Sequence, residues 1–257
     1  MKNVRKLLKK FVNFCRKSLK KDLKGILLFG SSVSSISKAK DMDLIVVLDD
    51  ISDKEKTSLQ IKRFIDEKLK TENSGESADI PFTEIREDNL FNIVVAKESD
   101  IKSENLKRIF NSDRYLISFF VPSSLVLLSL KENHKILFGD VDLKSWKVNI
   151  NFLDYMKTLT RSLFLSLFSL ILLLISIKKS FSVSCDSLKH LLQNVFILET
   201  RMPSKNVDLL LKFYKPSWWV DILSKYRNNE TISTQNKIKF ILTTPIITIA
   251  IFTEVFI

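Results

Sequence analysis

Two aspartates one residue apart, Asp41 and Asp43, are the residues of this sequence best suited to chemistry. They lie at the start of the apolar run Leu44–Leu48, which is typical of a buried strand. Side chains alternate between the two faces of a strand, so both carboxylates point to one side and Met42 points to the other. Two partly desolvated carboxylates on one side repel each other, and a divalent cation relieves both costs. The spacing therefore predicts a metal site at the start of this strand.

The segments that must position these aspartates follow one another closely. Residues 25–30 have the pattern of a first buried strand that ends in Gly30, and residues 42–49 have the pattern of a second. Ser52 and Glu55 have the spacing of a capping box, which opens a helix predicted to run to about Lys70. The run 78–85 alternates polar and apolar residues, and its strand is expected beside the strand of the two aspartates.

This series of segments resembles the nucleotidyltransferase superfamily, which has the polymerase-beta-like fold, and it is most similar to the minimal archaeal and bacterial members. The likeness rests on an apolar strand, Gly30-Ser31, a gap of about ten residues, and Asp41 and Asp43 inside a second apolar strand. It covers about residues 20–140. The predicted fold class is α+β, with a small mixed β-sheet nucleotidyltransferase domain and its helices, followed by an α-helical C-terminal domain.

The resemblance implies a Mg²⁺-dependent nucleotidyltransferase. Such an enzyme transfers a nucleoside monophosphate, expected here to be AMP from ATP, to a hydroxyl acceptor and releases pyrophosphate. Two Mg²⁺ ions would be held by Asp41, Asp43 and a third carboxylate from a later strand, for which Asp79 is the choice and Glu84 the competitor. The acceptor could be a small molecule, a protein side chain or an RNA end.

The resemblance also assigns a phosphate-binding segment. Gly30 would let the backbone approach the phosphates, and Ser31 and Ser32 would donate hydrogen bonds to them. Lys40 would add positive charge.

Two departures from the family pattern leave a second interpretation open. Family members usually have an arginine and a glycine soon after Gly-Ser, whereas this chain has Val33-Ser34-Ser35. A serine is common before the first aspartate, where this chain has Lys40. An arginine would offer a planar fork of donors to a phosphate, which no serine replaces. The alternative is therefore a catalytically degenerate nucleotide-binding regulatory protein, associated with RNA or with a membrane surface.

Composition indicates a globular protein from a reducing compartment. The chain has 257 residues, of which 45% are hydrophobic and 27% charged, enough to bury a substantial core. The two cysteines, Cys15 and Cys185, do not suggest a disulfide framework. No apolar signal region follows the basic N-terminus, so a cytoplasmic location is expected.

Positive charge is concentrated in residues 1–24, which hold ten lysines and arginines against one acid in a chain of net charge +12. Apolar residues such as Leu8, Phe11 and Cys15 recur there at helical spacing. The pattern predicts a basic amphipathic helix packed on the domain that follows. An RNA or an anionic membrane as the partner of its basic side is the alternative.

The domain limits predicted from the pattern are 1–24 for this helix, 25–143 for the nucleotidyltransferase domain and 144–257 for the helical domain. The uncharged runs 163–177 and 240–252 are shorter than the ~20 residues of a membrane-spanning helix. They are predicted to be buried helices of a bundle. Lys178 and Lys179, directly after the first run, leave a membrane-attached hairpin as the alternative.

Overall fold

The computed structural model describes residues 2–33, 42–68, 91–110, 121–203, 210–211 and 217–256. The strands in this part of the chain are β1 (Leu23–Phe29), β2 (Met42–Leu48), β3 (Phe91–Lys97) and β4 (His134–Gly139). The helices are α1 (Lys2–Leu19), α2 (Lys54–Lys68), α3 (Glu98–Lys102), α4 (Leu106–Ile109), α5 (Ser123–Glu132), α6 (Phe152–Leu173), α7 (Ile177–Thr200), α8 (Trp218–Arg227) and α9 (Thr234–Phe256).

The strands form a mixed sheet in the order β3-β2-β1-β4. β1 pairs antiparallel with β2 and with β4, while β2 pairs parallel with β3. Antiparallel neighbours can be joined by a short connection, but a parallel pair needs a longer crossover, and α2 lies between β2 and β3 in the chain. The predicted α+β class, a small mixed sheet with helices followed by a helical region, is confirmed.

The central strands are buried on both faces of the sheet. Met42, Leu44 and Val46 of β2 point to one face, where they join a cluster with Phe11 of α1 and Ile61 of α2. The next residues along β2 alternate to the opposite face and are buried as well. This double burial explains why β1 and β2 are nearly continuous apolar runs.

α1 packs its apolar side on this cluster. Leu8, Phe11, Cys15 and Leu19, one or two turns apart, are buried, whereas the lysines at positions 9, 10 and 17 are exposed. The helix contributes to the core of the sheet with one side and presents its positive charge to solvent with the other.

The start of α2 differs from the predicted capping box. Asp53, not Ser52, caps the helix, because its carboxylate accepts from the Lys56 N–H at 3.0 Å and its carbonyl accepts from the Thr57 N–H at 3.1 Å. Ser52 is buried instead, and its hydroxyl has no hydrogen-bond partner among the described residues. An aspartate and a serine are equally good caps, so spacing alone could not choose between neighbours.

The helical part contains a second hydrophobic core. Phe181 and Leu188 of α7 pack there with Leu223 of α8 and Phe240 of α9. The uncharged run 163–177, predicted as one helix, is divided, because α6 ends at Leu173 and α7 begins after Ser176. The Ser176 hydroxyl accepts from the Lys179 N–H at 3.4 Å, so the serine acts as the N-cap of α7.

The two uncharged runs are only partly buried. α6 and α9 are long and apolar enough to cross a membrane, and 22% and 28% of their most apolar segments are buried inside the protein. The prediction that both runs are buried bundle helices is therefore wrong for one side of each helix. The reason on α6 is that the fully buried positions are Asp154 and a row of hydroxyl side chains, while its leucines are buried only in part or exposed.

Contacts divide the chain into two units. One comprises Met1–Asp113 and Asn133–Trp146, and the other comprises Arg114–Glu132 and Lys147–Ile257. α5 therefore belongs to the helical unit, while β4, which follows it directly, belongs to the sheet. The functional limits 25–143 and 144–257 stay a prediction.

The contacts of the two carboxylates that follow β2 predict a loss of stability in acid. Ser99 lowers the pKa of Asp50 by hydrogen bonds from its side chain and from its N–H, which donates at 2.8 Å, and the Lys24 ammonium, 2.8 Å from the Asp49 carboxylate, lowers the pKa of Asp49. The folded protein therefore binds fewer protons here than the unfolded chain does. The contribution of these two carboxylates to the stability should be present in full above the ordinary carboxyl pKa of about 4. It should be lost as the pH falls through their lowered pKa values.

Thermal unfolding of Asp50→Asn checks this expectation. The amide keeps an oxygen acceptor for Ser99 but does not titrate, so the variant should lose less melting temperature than the unmodified protein between about pH 7 and about pH 3.5. An identical pH dependence in both proteins would contradict the assignment.

Candidate functional site

Asp43 lies at the start of β2, between two neighbouring strands. Phe29, the last residue of β1, is its partner on one side, and Asn92 of β3 is its partner on the other. Its side chain is half-buried, although Met42 and Leu44 on either side are fully buried on the opposite face. The predicted alternation of β2 is confirmed, and it leaves one carboxylate at the end of the buried strand.

The Asn92 side chain contacts this carboxylate directly. Its amide Nδ2 donates to Asp43 Oδ1 at 3.0 Å. The two residues are 49 positions apart in the chain and meet because β2 and β3 are parallel and in register. A hydrogen bond to a charged acceptor restricts its orientation and favours its ionised form. Asn92 therefore helps to hold the Asp43 carboxylate in one position.

Gly30 borders the other carboxylate oxygen. Its φ is +74°, a left-handed conformation that glycine adopts without the steric cost of a side chain. A Cβ atom at this position would lie 2.5 Å from Asp43 Oδ2. The turn after β1 therefore needs glycine both for its backbone conformation and for the close approach of Asp43.

The hydroxyl of Ser32 stabilises the same turn. Residues Gly30–Val33 form a short 3₁₀ turn, and Ser32 within it is fully buried. Its Oγ donates to the Phe29 carbonyl at 3.0 Å. In this arrangement Ser32 closes the end of β1. Phosphate binding by Gly30, Ser31 and Ser32 stays a prediction.

Three of the predicted site residues lie outside the described part of the chain. They are Lys40, Asp41 and Asp79, and Glu84, the competitor of Asp79, lies outside it as well. In the described part of the chain, β1 and β3 pair with the two sides of β2, and β3 does so over all seven of its residues.

Asn92 was not recognised as a site residue from the sequence. A signal was present, since it is a polar residue at the start of a short apolar run that follows a predicted helix. A polar residue at the start of a buried strand resembles the position of Asp43 in β2. Its pairing with Asp43 depends on the register between the strands, which the local pattern does not contain.

The described residues near Asp43 offer the type of ligand atom that Mg²⁺ prefers, but too few of them for a complete metal site. The Asp43 carboxylate and the Asn92 amide both offer oxygen, the ligand atom that Mg²⁺ prefers. Among the described residues, no three histidine, cysteine, aspartate or glutamate side chains lie close enough together to bind a metal ion. A complete site would need further carboxylates, for which the sequence offers Asp41 and Asp79.

A groove of about 840 Å³ elsewhere in the sheet unit has no part in this site. It runs between α1 and α2, beside the stacked rings of Phe14 and Phe64. None of its lining residues comes from the strands that hold Asp43 and Asn92. The groove is therefore separate from the candidate site at the strand ends.

Comparison with known proteins identifies the architecture. No family model and no curated protein matches the sequence. A solved structure that resembles it is a spectinomycin adenyltransferase from Enterococcus faecialis, determined with ATP and spectinomycin. The TM-score is 0.61 at 14% sequence identity, over 98% of this chain and 99% of that one. The two chains share a fold. The likeness includes the helical unit as well as the sheet, because it spans almost the whole of both chains.

Replacement of Gly30 tests the packing beside Asp43. Gly30→Ala should displace the carboxylate and strain the backbone by roughly 1–2 kcal/mol. We expect a lower melting temperature together with weaker binding of Mn²⁺, measured by the paramagnetic resonance signal of the free ion.

Ser32→Ala is the matched control. It removes the bond to Phe29 and should cost about 1 kcal/mol, but it leaves Asp43 untouched and should retain the Mn²⁺ affinity. Equal losses of Mn²⁺ affinity in the two variants would contradict a specific contact between Gly30 and Asp43.

Proposed function

We propose that this protein is a Mg²⁺-dependent nucleotidyltransferase that transfers AMP from ATP to a hydroxyl acceptor and releases pyrophosphate. The observation that carries the proposal is the Asp43 carboxylate, held at the end of a buried strand by Asn92 and bordered by Gly30. It lies in a chain that shares its fold with an adenyltransferase over nearly its full length.

Each group at the strand ends has a proposed role. Asp43, with Asp41 and Asp79, would hold two Mg²⁺ ions, and Gly30, Ser31, Ser32 and Lys40 would bind the phosphates. When bound, the metal supplies positive charge that neutralises the triphosphate. Gly30 contributes by its lack of a side chain, which leaves Asp43 in place and opens the backbone to an anion. Asn92 keeps one carboxylate oxygen oriented.

The proposed reaction is an in-line displacement. The acceptor hydroxyl oxygen forms a bond to the α-phosphorus of ATP, and the bond from that phosphorus to the bridging oxygen of the β-phosphate breaks. Pyrophosphate leaves with the bonding electrons, and the hydroxyl proton passes to a carboxylate or to solvent. The geometric demand on the protein is to hold the two reactants together, which accounts for much of the rate enhancement of such enzymes.

A small molecule is the favoured acceptor. The similar structure was determined with spectinomycin, a small molecule, together with ATP. A protein side chain or an RNA end remains as an alternative acceptor that the assay below distinguishes.

A nucleotide-binding regulator is the second candidate function, and Asn92 favours it. The side chain that faces Asp43 on the adjacent strand is an uncharged amide, where a carboxylate would add a stronger metal ligand. The chain also has Val33-Ser34-Ser35 where the family pattern has an arginine and a glycine soon after Gly-Ser. Such a protein would bind ATP without releasing pyrophosphate.

Transfer of label from α-labelled ATP tests the first function. In a cell extract with added Mg²⁺, the purified protein should label a small-molecule fraction, and a chelator should stop the transfer. Asp43→Asn should lower the rate by about a hundredfold or more, as loss of a key electrostatic group does. Asp49→Asn, at the opposite end of β2, is the matched control and should keep the rate. Labelled protein or RNA would change the acceptor. Equal rates in Asp43→Asn and the unmodified protein would refute the mechanism, and ATP binding without transfer would favour the regulator.

The variant Asn92→Asp further distinguishes the nucleotidyltransferase from the nucleotide-binding regulator. A carboxylate in place of the amide would lie beside Asp43, so like charges would destabilise the metal-free protein and a bound cation would relieve the repulsion. We expect the affinity for Mn²⁺ to rise about tenfold or more and the melting temperature without metal to fall. Asn92→Ala, which removes the hydrogen bond without adding charge, should show no gain in affinity. If both variants bind Mn²⁺ as the unmodified protein does, Asn92 lies outside the metal site.

A further inference from the structure

Along α6, polar side chains are the most buried and apolar side chains are the most exposed, the inverse of the usual arrangement in water. The buried residues of this helix are all polar, and they recur every three or four positions along one side: Asp154, Thr158, Ser162, Ser166 and Ser169. In a water-soluble bundle the apolar side of a helix normally turns inward. Here the most buried side of α6 is polar, while apolar residues such as Leu159, Leu170 and Leu173 pack against the core only in part.

The hydroxyl side of α6 bonds to a second row of serines on α7. Ser180 Oγ donates to the Ser169 carbonyl at 2.6 Å, and Ser184 Oγ donates to Ser169 Oγ at 2.8 Å. Ser187 Oγ donates to the Ser162 carbonyl at 3.0 Å. Small residues and interhelical hydrogen bonds of this kind hold helices together where hydrocarbon surrounds them, because apolar side chains then gain nothing by turning inward.

The outward side of α6 is apolar along its uncharged half. From position 162 to 173 its exposed residues are Phe164, Leu167 and Ile171, each between 48% and 60% exposed. Their spacing of three and four places them on one side of the helix. Leu174 and Ile175, in the turn that follows, are still more exposed.

α9 packs against α6 and buries two threonines beside apolar residues such as Phe240, while it also carries an exposed apolar row. Thr244 and Thr248 are fully buried, whereas Leu242, Ile246 and Ile249 are between 51% and 68% exposed. The two outward rows therefore lie on neighbouring helices of one unit. We refer to Phe164, Leu167, Ile171, Leu242, Ile246 and Ile249 together as the apolar face. Exposed patches of this kind are interaction sites.

Charge indicates which partner covers the apolar face. Lys178 and Lys179 are exposed directly after Leu174 and Ile175. The whole chain carries +12, so a second copy would be repelled electrostatically, whereas an anionic lipid surface would be attracted.

The length of the apolar segment favours a helix that lies on the bilayer without crossing it. Residues 162–173, the uncharged part of α6, span about 18 Å as a helix, less than the ~30 Å hydrocarbon core. The neighbouring α7 carries Asp186 and Lys189 within its length. A helix that is apolar on one side and flanked by lysines fits the boundary between headgroups and acyl chains.

We propose that the helical unit binds an anionic lipid bilayer. The apolar face contacts the acyl chains, and Lys178 and Lys179 contact the headgroup phosphates. The polarity of α6 is the structural reason, since Ser162 and Ser169 accept hydrogen bonds from serines of α7 while the exposed apolar side chains turn to the lipid. This inference does not depend on the proposed enzymatic function.

Flotation of the full chain with lipid vesicles tests the proposal. The protein should float with vesicles of equal parts phosphatidylcholine and phosphatidylglycerol, and it should bind pure phosphatidylcholine more weakly. The triple variant Leu167→Gln, Ile171→Gln and Ile246→Gln should lower the partition coefficient about tenfold or more, because each change removes an apolar contact with lipid. Lys178→Gln with Lys179→Gln should weaken binding to the anionic vesicles alone.

The matched control changes exposed apolar residues outside the apolar face. Ile51→Gln, Leu59→Gln and Met202→Gln replace side chains of comparable exposure and should leave flotation unchanged. Circular dichroism confirms that each variant is folded.

A fluorescent label reports contact with the acyl chains even where a multiple variant fails to fold. Burial raises the pKa of Cys15 to about 12 and also raises that of Cys185, so both native thiols react slowly with a nitrobenzoxadiazole iodoacetamide. A label on Ile171→Cys should shift its emission to shorter wavelength when anionic vesicles are added. A label on Leu59→Cys should not shift.

Three results would overturn the proposal. The first is absence of flotation and of any shift at position 171. The second is a stable dimer in sedimentation that the triple variant dissociates, which would assign the apolar face to a second copy. The third is flotation that the triple variant retains, which would move the contact to another part of the chain such as the basic α1.

Discussion

The pairing of β2 between β1 and β3 is the constraint on which the candidate site depends. It places Asp43 beside Phe29 on one side and Asn92 on the other. A shift of one residue in either register would turn Asp43 into the core and an apolar neighbour outward. The conformation of Gly30 adds the last restriction, because any larger residue would occupy the space of the Asp43 carboxylate.

Hydrophobic burial, more than hydrogen bonding, supplies the free energy for this arrangement. Met42 and Leu44, on either side of Asp43, are fully buried, and burial of one such side chain contributes roughly 1.5–3 kcal/mol. A single hydrogen bond contributes about 1 kcal/mol, or somewhat more when one partner is charged. The apolar residues of β2 therefore determine where the carboxylate lies. The hydrogen bond from Asn92 determines how it is oriented.

The helical unit follows a different rule from the sheet unit. The sheet unit buries its apolar side chains and exposes its lysines, as a protein in water does. In α6 the fully buried side chains are polar, and Ser162 and Ser169 accept hydrogen bonds from serines of α7, while Phe164, Leu167 and Ile171 are exposed. The proposed contact with lipid would explain this difference. The sheet unit would be surrounded by water, and one side of the helical unit would face lipid.

Sequence alone determined the strands β1 and β2, the side to which Asp43 points and the amphipathic character of α1, because each is a local periodicity of apolar residues. It could not choose Asp53 over Ser52 as the cap of α2, since neighbouring polar residues compete on nearly equal terms. Only the tertiary structure brought Asn92 to Asp43, because strand register is set by contacts between distant segments. It also decided which side of α6 is buried: the serines of α7 offered hydrogen-bond partners that no local pattern reveals.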